Sequence, residues 1–327
     1  MSLHLFDHSF TCVENCPLCS VSSDKSKNLY KIEHYGWEFD FVQCSNCGLC
    51  YKSHFPTNSL FKEIYGNGYG HFGIQNIESE LEDLQHRIKR VGKPNGRLLD
   101  YGCGNGSFVL AALNNGWDAF GCDPFLQDTL ASINLKSRCI RKDASIEIIN
   151  DLGTFDCITM WATSEHLVNS RNTFLNLFSI LNNGGLFIFN SPFGKSKIAI
   201  KRGSDWRMAR IVEHLQFHTF ESIRYLAVIG NMSIENIRVC GSPWPLGAVN
   251  QKMEEIQVQV TNSKNNPETL KSSIQNIDLI ESKTSNFKEK LFSQIIAKNR
   301  FYSKDIISEV IDFLRIGDHL EIKLKKK

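Results

Sequence analysis

The sequence lacks any long apolar run and any real imbalance of charge. No uninterrupted apolar stretch approaches the roughly 20 residues of a membrane-spanning helix, so no membrane association is expected. The N-terminal MSLHLFDHSF has no basic region followed by an apolar core, so no secretory signal is expected either. Lysine and arginine number 37 against 35 acidic residues, a net charge of +2. Proteins that grip a nucleic-acid duplex carry a marked basic excess. Nucleic acid is therefore not favoured as a partner, and the closing KLKKK reads as a solvated tail.

What is present points to a globular chain. Hydrophobic residues make up 42% and charged residues 22% of 327 positions, enough for one large domain or two smaller ones. The expected location is cytoplasmic. In that reducing setting the 11 cysteines should be thiols or metal ligands rather than a disulfide framework.

Four cysteines form two pairs, Cys16-x-x-Cys19 in NCPLCS and Cys44-x-x-Cys47 in VQCSNCGLCY. The two residues inside each pair let both sulfurs converge on one ion. Between the pairs, Tyr30, Ile32 and His34 alternate, as do Trp37, Phe39 and Phe41, with Gly36 to turn the chain. Knuckle, hairpin, knuckle is the plan of a zinc ribbon. Its gap of 24 residues (20–43) is somewhat longer than the common spacing. The other reading is four thiols without a metal. Cys12 and Cys50 lie nearby but are not counted as ligands. Four thiolates would fill the coordination of Zn2+, so the site is expected to be structural.

A second pattern begins at RLLDYGCGNGSF, residues 97–108. A short apolar strand runs into Gly102, Gly104 and Gly106, and SFVLAALNN follows with helical spacing. Strand, glycine turn and helix make a nucleotide-binding unit, because glycines admit a ligand close to the backbone and the helix start offers free N–H groups. The next strand, WDAFGCDP, ends in Asp123, where a carboxylate can accept ribose hydroxyls. The dinucleotide pattern needs a glycine at position 107, which is Ser107. The ligand is therefore expected to lack a pyrophosphate.

Further strands are expected at 138–144, 155–161, 186–192 and 233–240. Helices are expected around Phe174, Leu177, Phe178 and Leu181, ending in NNGG, and over 220–229. Strands alternating with helices imply an α/β fold with a mostly parallel sheet covered on both faces.

In this order and spacing, LLDYGCGNGSF, GCDP, FDCITMWATSEHL and LNNGGLFIFNSP resemble class I S-adenosylmethionine-dependent methyltransferases. With the ribbon and the following YGNGYGHF, the chain resembles the subgroup called methyltransferase domain type 23. The resemblance implies a Rossmann-like seven-stranded sheet whose last strand, from His319 in GDHL, is antiparallel. It also implies S-adenosylmethionine as donor. Gly102, Gly104 and Gly106 would wrap its methionine part, Asp100 would order the loop or the ammonium, and Asp123 would hold the ribose. Asp143 would lie by the adenine, Met160 and Trp161 would flank the donor, and Tyr65 and Tyr69 would close over it. His214, in VEHLQFHTF, and His166, in SEHL, are the candidate bases, His166 serving equally well as a local hydrogen-bonding residue. Trp206 and Arg207 are candidate acceptor contacts.

The expected organisation is a zinc-ribbon module (1–55), a linker and helix covering the donor site (56–90) and a methyltransferase domain (91–250). A helical insertion (251–313) and a last strand with a basic tail (314–327) complete it. The acceptor is expected to be a small molecule, sugar-containing or natural-product-like, with methylation at O, N or C left open and the protein a monomer or homodimer. The alternatives are an RNA methyltransferase that reads through its ribbon and a non-enzymatic ligand-binding protein.

Overall fold

The computed structural model describes residues 9–34, 37–66, 77–126, 130–142, 153–240 and 317–327. The expected insertion at 251–313 lies outside the described residues, as do Tyr69 and Asp143.

The N-terminal part is a small antiparallel module. Strands β1 (Phe10–Cys12), β2 (Ser26–His34), β3 (Trp37–Cys44), β4 (Cys50–Lys52) and β5 (His54–Pro56) come first. Helices α1 (Asn58–Gly66) and α2 (Ile77–Val91) follow. The expected β2–β3 hairpin is present, with Ile32 facing Phe39 and Tyr30 facing Phe41. Phe39 and Phe41 are buried on one face of it, as period-two alternation requires.

The α/β part then runs β6 (Arg97–Tyr101), α3 (Ser107–Asn114), β7 (Asp118–Cys122), β8 (Cys139–Ile140) and β9 (Phe155–Met160). It continues with α4 (Ser170–Ser179), β10 (Leu181–Pro192), α5 (Lys197–Arg202), α6 (Arg207–Arg210) and β11 (Gln216–Phe217). It closes with α7 (Phe220–Ile229), β12 (Met232–Cys240) and β13 (His319–Lys326). Among the described residues, seven strands form one sheet in the order β12-β13-β10-β9-β6-β7-β8. β13 runs antiparallel to both neighbours, whereas β10, β9, β6, β7 and β8 are parallel. This is the Rossmann-like seven-stranded sheet with an antiparallel last strand that the resemblance implies.

Both faces of the sheet are covered. Leu99, Ile158, Phe187 and Phe189 join one apolar cluster with Phe174 and Leu177 of α4, while Leu98, Cys157 and Ile188 join another with Phe108 and Val109 of α3. Neighbouring residues of one strand enter opposite clusters because side chains alternate across a strand.

Two expected boundaries move. The helix carrying Phe174 stops at Ser179 rather than at Asn182–Gly185, which fall inside β10. Lys326 Nζ, from the last strand, donates to the carbonyls of Phe178 (2.8 Å) and Leu181 (2.6 Å) and so closes the helix end early. Of the strand expected at 138–144, the described residues 138–142 contain only Cys139–Ile140, preceded by a short 3-10 turn over Ile133–Ser137.

Candidate active site

The parallel strands end on one edge, and the glycine loop follows the first of them. Gly102 and Gly106 both have φ near 80°, a conformation strained for any other residue. A Cβ on Gly102 would also fall 2.2 Å from Thr163 Oγ1, in the segment after β9. The loop therefore packs directly on the turn that carries His166.

Asp100, at the end of β6, is buried and accepts a hydrogen bond from Thr159 Oγ1 at 2.7 Å. Burial pushes its carboxyl up to about 7, although Thr159 and Arg87 pull it down. Asp123, just beyond β7, accepts the N–H of Gly104 on one oxygen (2.9 Å) and that of Phe125 on the other (2.7 Å). Burial raises its pKa, against those two bonds and the nearby His166. Each carboxylate oxygen keeps a further lone pair.

Past β9 the chain turns sharply. Ala162 has φ 49°, and its N–H donates to Asn190 Oδ1 at 2.6 Å. Ser164 Oγ donates to Asn190 O at 2.6 Å, which places Glu165 and His166 over the strand ends. Met160 is fully buried in the core, and Trp161 packs edge-on to Phe108 (5.7 Å) beneath the Arg87 guanidinium.

The structure brings the two candidate histidines together. Their rings lie 4.9 Å apart and nearly perpendicular. Tyr65, at the end of α1, places its hydroxyl 3.1 Å from His166 Nδ1 and stacks on Phe125 at 4.6 Å. Burial holds the Tyr65 phenol well above its ordinary pKa, with Glu213, Asp123 and Glu165 adding to the effect. Glu165, His166 and His214 offer three ligand atoms within 4.8 Å of one another, a set that could also take a divalent cation.

The loop bearing His214 is clamped from two sides. Leu215 N–H donates to Glu165 O (2.7 Å), and Gln216 Nε2 to Ser164 O (2.8 Å). From the other side, β11 pairs with β4 of the N-terminal module, Gln216 opposite Tyr51 and Phe217 opposite Cys50. Glu213 and His214 are both buried.

The four paired cysteines converge. Cys16, Cys19, Cys44 and Cys47 present sulfurs within 4.8 Å of one another, with Cys16–Cys47 at 3.6 Å and Cys19–Cys44 at 3.5 Å. Tetrahedral Zn–S bonds of about 2.3 Å would put sulfurs about 3.8 Å apart, so the cluster fits that ion. The Cys16–Cys47 hydrogen bond draws Cys16 down to about 6 and holds Cys47 well above its ordinary value, so the pair shares one proton, which a metal would displace. Cys50 stays out of the cluster, and burial pushes its thiol up to about 12.

Other candidates have interior roles. Trp206 is 1% exposed and donates to Asp318 Oδ2 at 3.3 Å, so it packs the fold rather than facing an acceptor. Arg207 is partly buried near Asp318, which opposes the lowering of its pKa by burial. His218 is fully buried against Phe174 and Phe189, with Nδ1 3.1 Å from Ser222 Oγ.

Sequence reasoning gave Tyr65 a different partner and passed over Glu165, Glu213 and Lys52. The doublets Glu165-His166 and Glu213-His214 were a signal, since each sets a carboxylate beside a candidate base. Lys52 left no local trace, because its partners are about 160 residues away.

Residues 74–227 match the family model described as a methyltransferase domain. Among solved structures, the chain is similar to a SAM-dependent methyltransferase from Archaeoglobus fulgidus at 16% identity and TM-score 0.41, over 82% of this chain and 99% of that one. It is similar to a possible histamine N-methyltransferase from Thermotoga maritima at 14% identity and TM-score 0.43, over 81% of this chain and 100% of that one. It is also similar to magnesium protoporphyrin IX methyltransferase from Synechocystis PCC 6803, with bound SAH, at 16% identity and TM-score 0.40, over 57% of this chain and 90% of that one. Likeness at this distance brings no substrate with it. No curated protein matches the sequence.

Proposed function

We propose that the chain, whose residues 74–227 match a family model described as a methyltransferase domain, methylates a small-molecule acceptor from S-adenosylmethionine, with His214 as the base. The observation that carries this reading is the convergence of Tyr65, His166 and His214 beside Asp123 at the ends of the parallel strands. The donor supplies an activated, electrophilic methyl group. What remains for the protein is to align the acceptor, exclude water and remove a proton.

Asp123 has the lone pairs to take ribose hydroxyls, and Asp100 is placed to meet an ammonium, whose charge would draw it back to the carboxylate. Tyr65 stays a phenol and can donate to His166 Nδ1, fixing that ring with its proton on Nε2. His214 then takes the acceptor's proton at the neighbouring imidazole. A cleft of about 580 Å³ lies away from these groups, and none of Asp100, Asp123, Tyr65, His166 and His214 lines it, so it carries no argument about the acceptor. Cys12, Asn15, Phe55, Asn58, Val168 and Arg171 are among its lining residues, so the cysteine module and the segment after His166 share it. Sugar-containing or natural-product-like acceptors are what the family resemblance implies.

Cys16, Cys19, Cys44 and Cys47 are the ligands of a structural Zn2+ in this reading, with no open position for chemistry. The expected setting is reducing and cytoplasmic, with the cysteines as thiols or metal ligands. No described helix is long and apolar enough to cross a membrane.

The test is transfer of labelled methyl to two acceptor pools, cell metabolites and bulk RNA. Label should enter small molecules, and His214→Ala should slow transfer about 100-fold while donor binding holds. Label entering RNA alone would overturn the small-molecule reading.

A further inference from the structure

A buried carboxylate meets two imidazoles at the ends of the parallel strands. Glu165 is 3% and His214 7% exposed, while His166 is only partly buried and leaves the group a way in from solvent. Each residue offers one donor atom, and the three atoms lie within 4.8 Å of one another. Tetrahedral bonds of about 2.1 Å hold donors about 3.4 Å apart, so closing onto an ion asks each pair to approach by about 1.4 Å at most. The rings already have a suitable relation. Two imidazoles on one such ion put their ring centres roughly 5 Å apart. Those of His166 and His214 stand 4.9 Å apart and nearly perpendicular.

The backbone fixes the two segments that bring these side chains together. Leu215 N–H donates to Glu165 O at 2.7 Å and Gln216 Nε2 to Ser164 O at 2.8 Å, which ties the His214 segment to the Glu165-His166 turn. Ser164 Oγ donates to Asn190 O at 2.6 Å and anchors that turn to β10. The Tyr65 hydroxyl, 3.1 Å from His166 Nδ1, is the outer partner that a ligating imidazole uses. With Nδ1–H donating to the phenol oxygen, Nε2 is the nitrogen left for an ion. Two nitrogens and a carboxylate favour a first-row divalent cation over Mg2+, which prefers oxygen throughout.

We propose that Glu165, His166 and His214 form a site for a first-row divalent cation such as Zn2+, separate from the cysteine cluster, and that filling it shuts off methyl transfer. A neutral imidazole offers one lone pair, which cannot both hold an ion and take the acceptor's proton. The second half rests on the reading of His214 as base, whereas ion binding stands without it. Hydrogen bonding alone would also gather a carboxylate and two imidazoles, but it predicts no ion uptake.

The test starts from the full chain with Zn2+ on its cysteines. Co2+ titrated into it should add one further ion per chain, seen by visible absorption without the thiolate-to-metal bands of a cysteine site. Zn2+ should displace that ion and excess Mg2+ should not. Glu165→Gln, His166→Gln and His214→Gln should each weaken Co2+ binding more than about 100-fold, and Tyr65→Phe about 10-fold, as for loss of an outer partner. Retained cysteine-bound zinc and an unchanged circular dichroism spectrum check the fold of each variant, and the variants that pass decide the outcome. No second ion, displacement by Mg2+, or undiminished uptake in the folded ligand variants would overturn the site. Zn2+ that fills it should stop labelled-methyl transfer to cell metabolites, and transfer at full rate with the site filled would overturn the switch. The base reading fails separately, by His214→Gln transferring labelled methyl at the wild-type rate while the ion-binding results stand.

Discussion

Single side chains decide most of the chemistry. Asp123 meets the backbone of the glycine loop and has spare lone pairs for a ligand. Asp123→Ala should weaken S-adenosylhomocysteine binding roughly 10- to 100-fold by calorimetry, the cost of losing charged hydrogen bonds. Gly102 has no room for a methyl group against Thr163 and sits at a φ that disfavours one. Gly102→Ala should cost about 1–3 kcal/mol in thermal or denaturant unfolding. Burial draws His218 down to about 3. It is neutral in the fold yet charged in the unfolded chain below its ordinary value of about 6.5. The unfolded state thus binds the extra proton, and stability falls as pH drops from about 6.5 toward 3, by up to about 1.4 kcal/mol per unit. His218→Phe should flatten that part of a Tm-versus-pH curve.

At the scale of elements, the cysteine module and the sheet domain share a strand ladder. β4 leaves the second knuckle and pairs with β11, two residues past His214. The first knuckle also docks: Arg171 N–H donates to Pro17 O at 3.0 Å, and Arg171 Nη1 to Leu18 O at 3.3 Å. One zinc per chain is expected by metal analysis, with loss in Cys47→Ser. Chelation should then raise amide exchange at Gln216 and Phe217 while β6 and β7 keep their protection. Unchanged exchange at β11 would mean that the module is a separate body with no hold on the His214 loop.

At the scale of the molecule, charge and architecture point the same way. A net charge of +2 gives little counterion release, so affinity for duplex or single-stranded RNA should be negligible at about 0.15 M salt by fluorescence anisotropy. Tight, strongly salt-dependent binding would instead favour the RNA alternative. The alternation of strands and helices along the chain was legible because each βα unit announces itself locally: apolar run, turn residues, helical spacing. The short extent of β8 was not, since a strand of two residues leaves almost no periodic signal to mark its ends. Nor was the early stop of α4, which depends on Lys326 arriving from the far end of the chain.

Sequence alone determined the cysteine pairs, the glycine loop with Asp123 and the family resemblance, because each is a pattern of near neighbours whose spacing is itself the geometry. It also named His166 and His214 separately, with no means of relating them. Only the tertiary structure decided that the two rings meet 4.9 Å apart, that Tyr65 bonds His166, and that Lys52 spans the His214 loop. Those contacts join residues 48 to more than 150 positions apart. They exist because a parallel sheet gathers its strand ends on one edge, and because the module's strand ladder continues into the domain beside that edge.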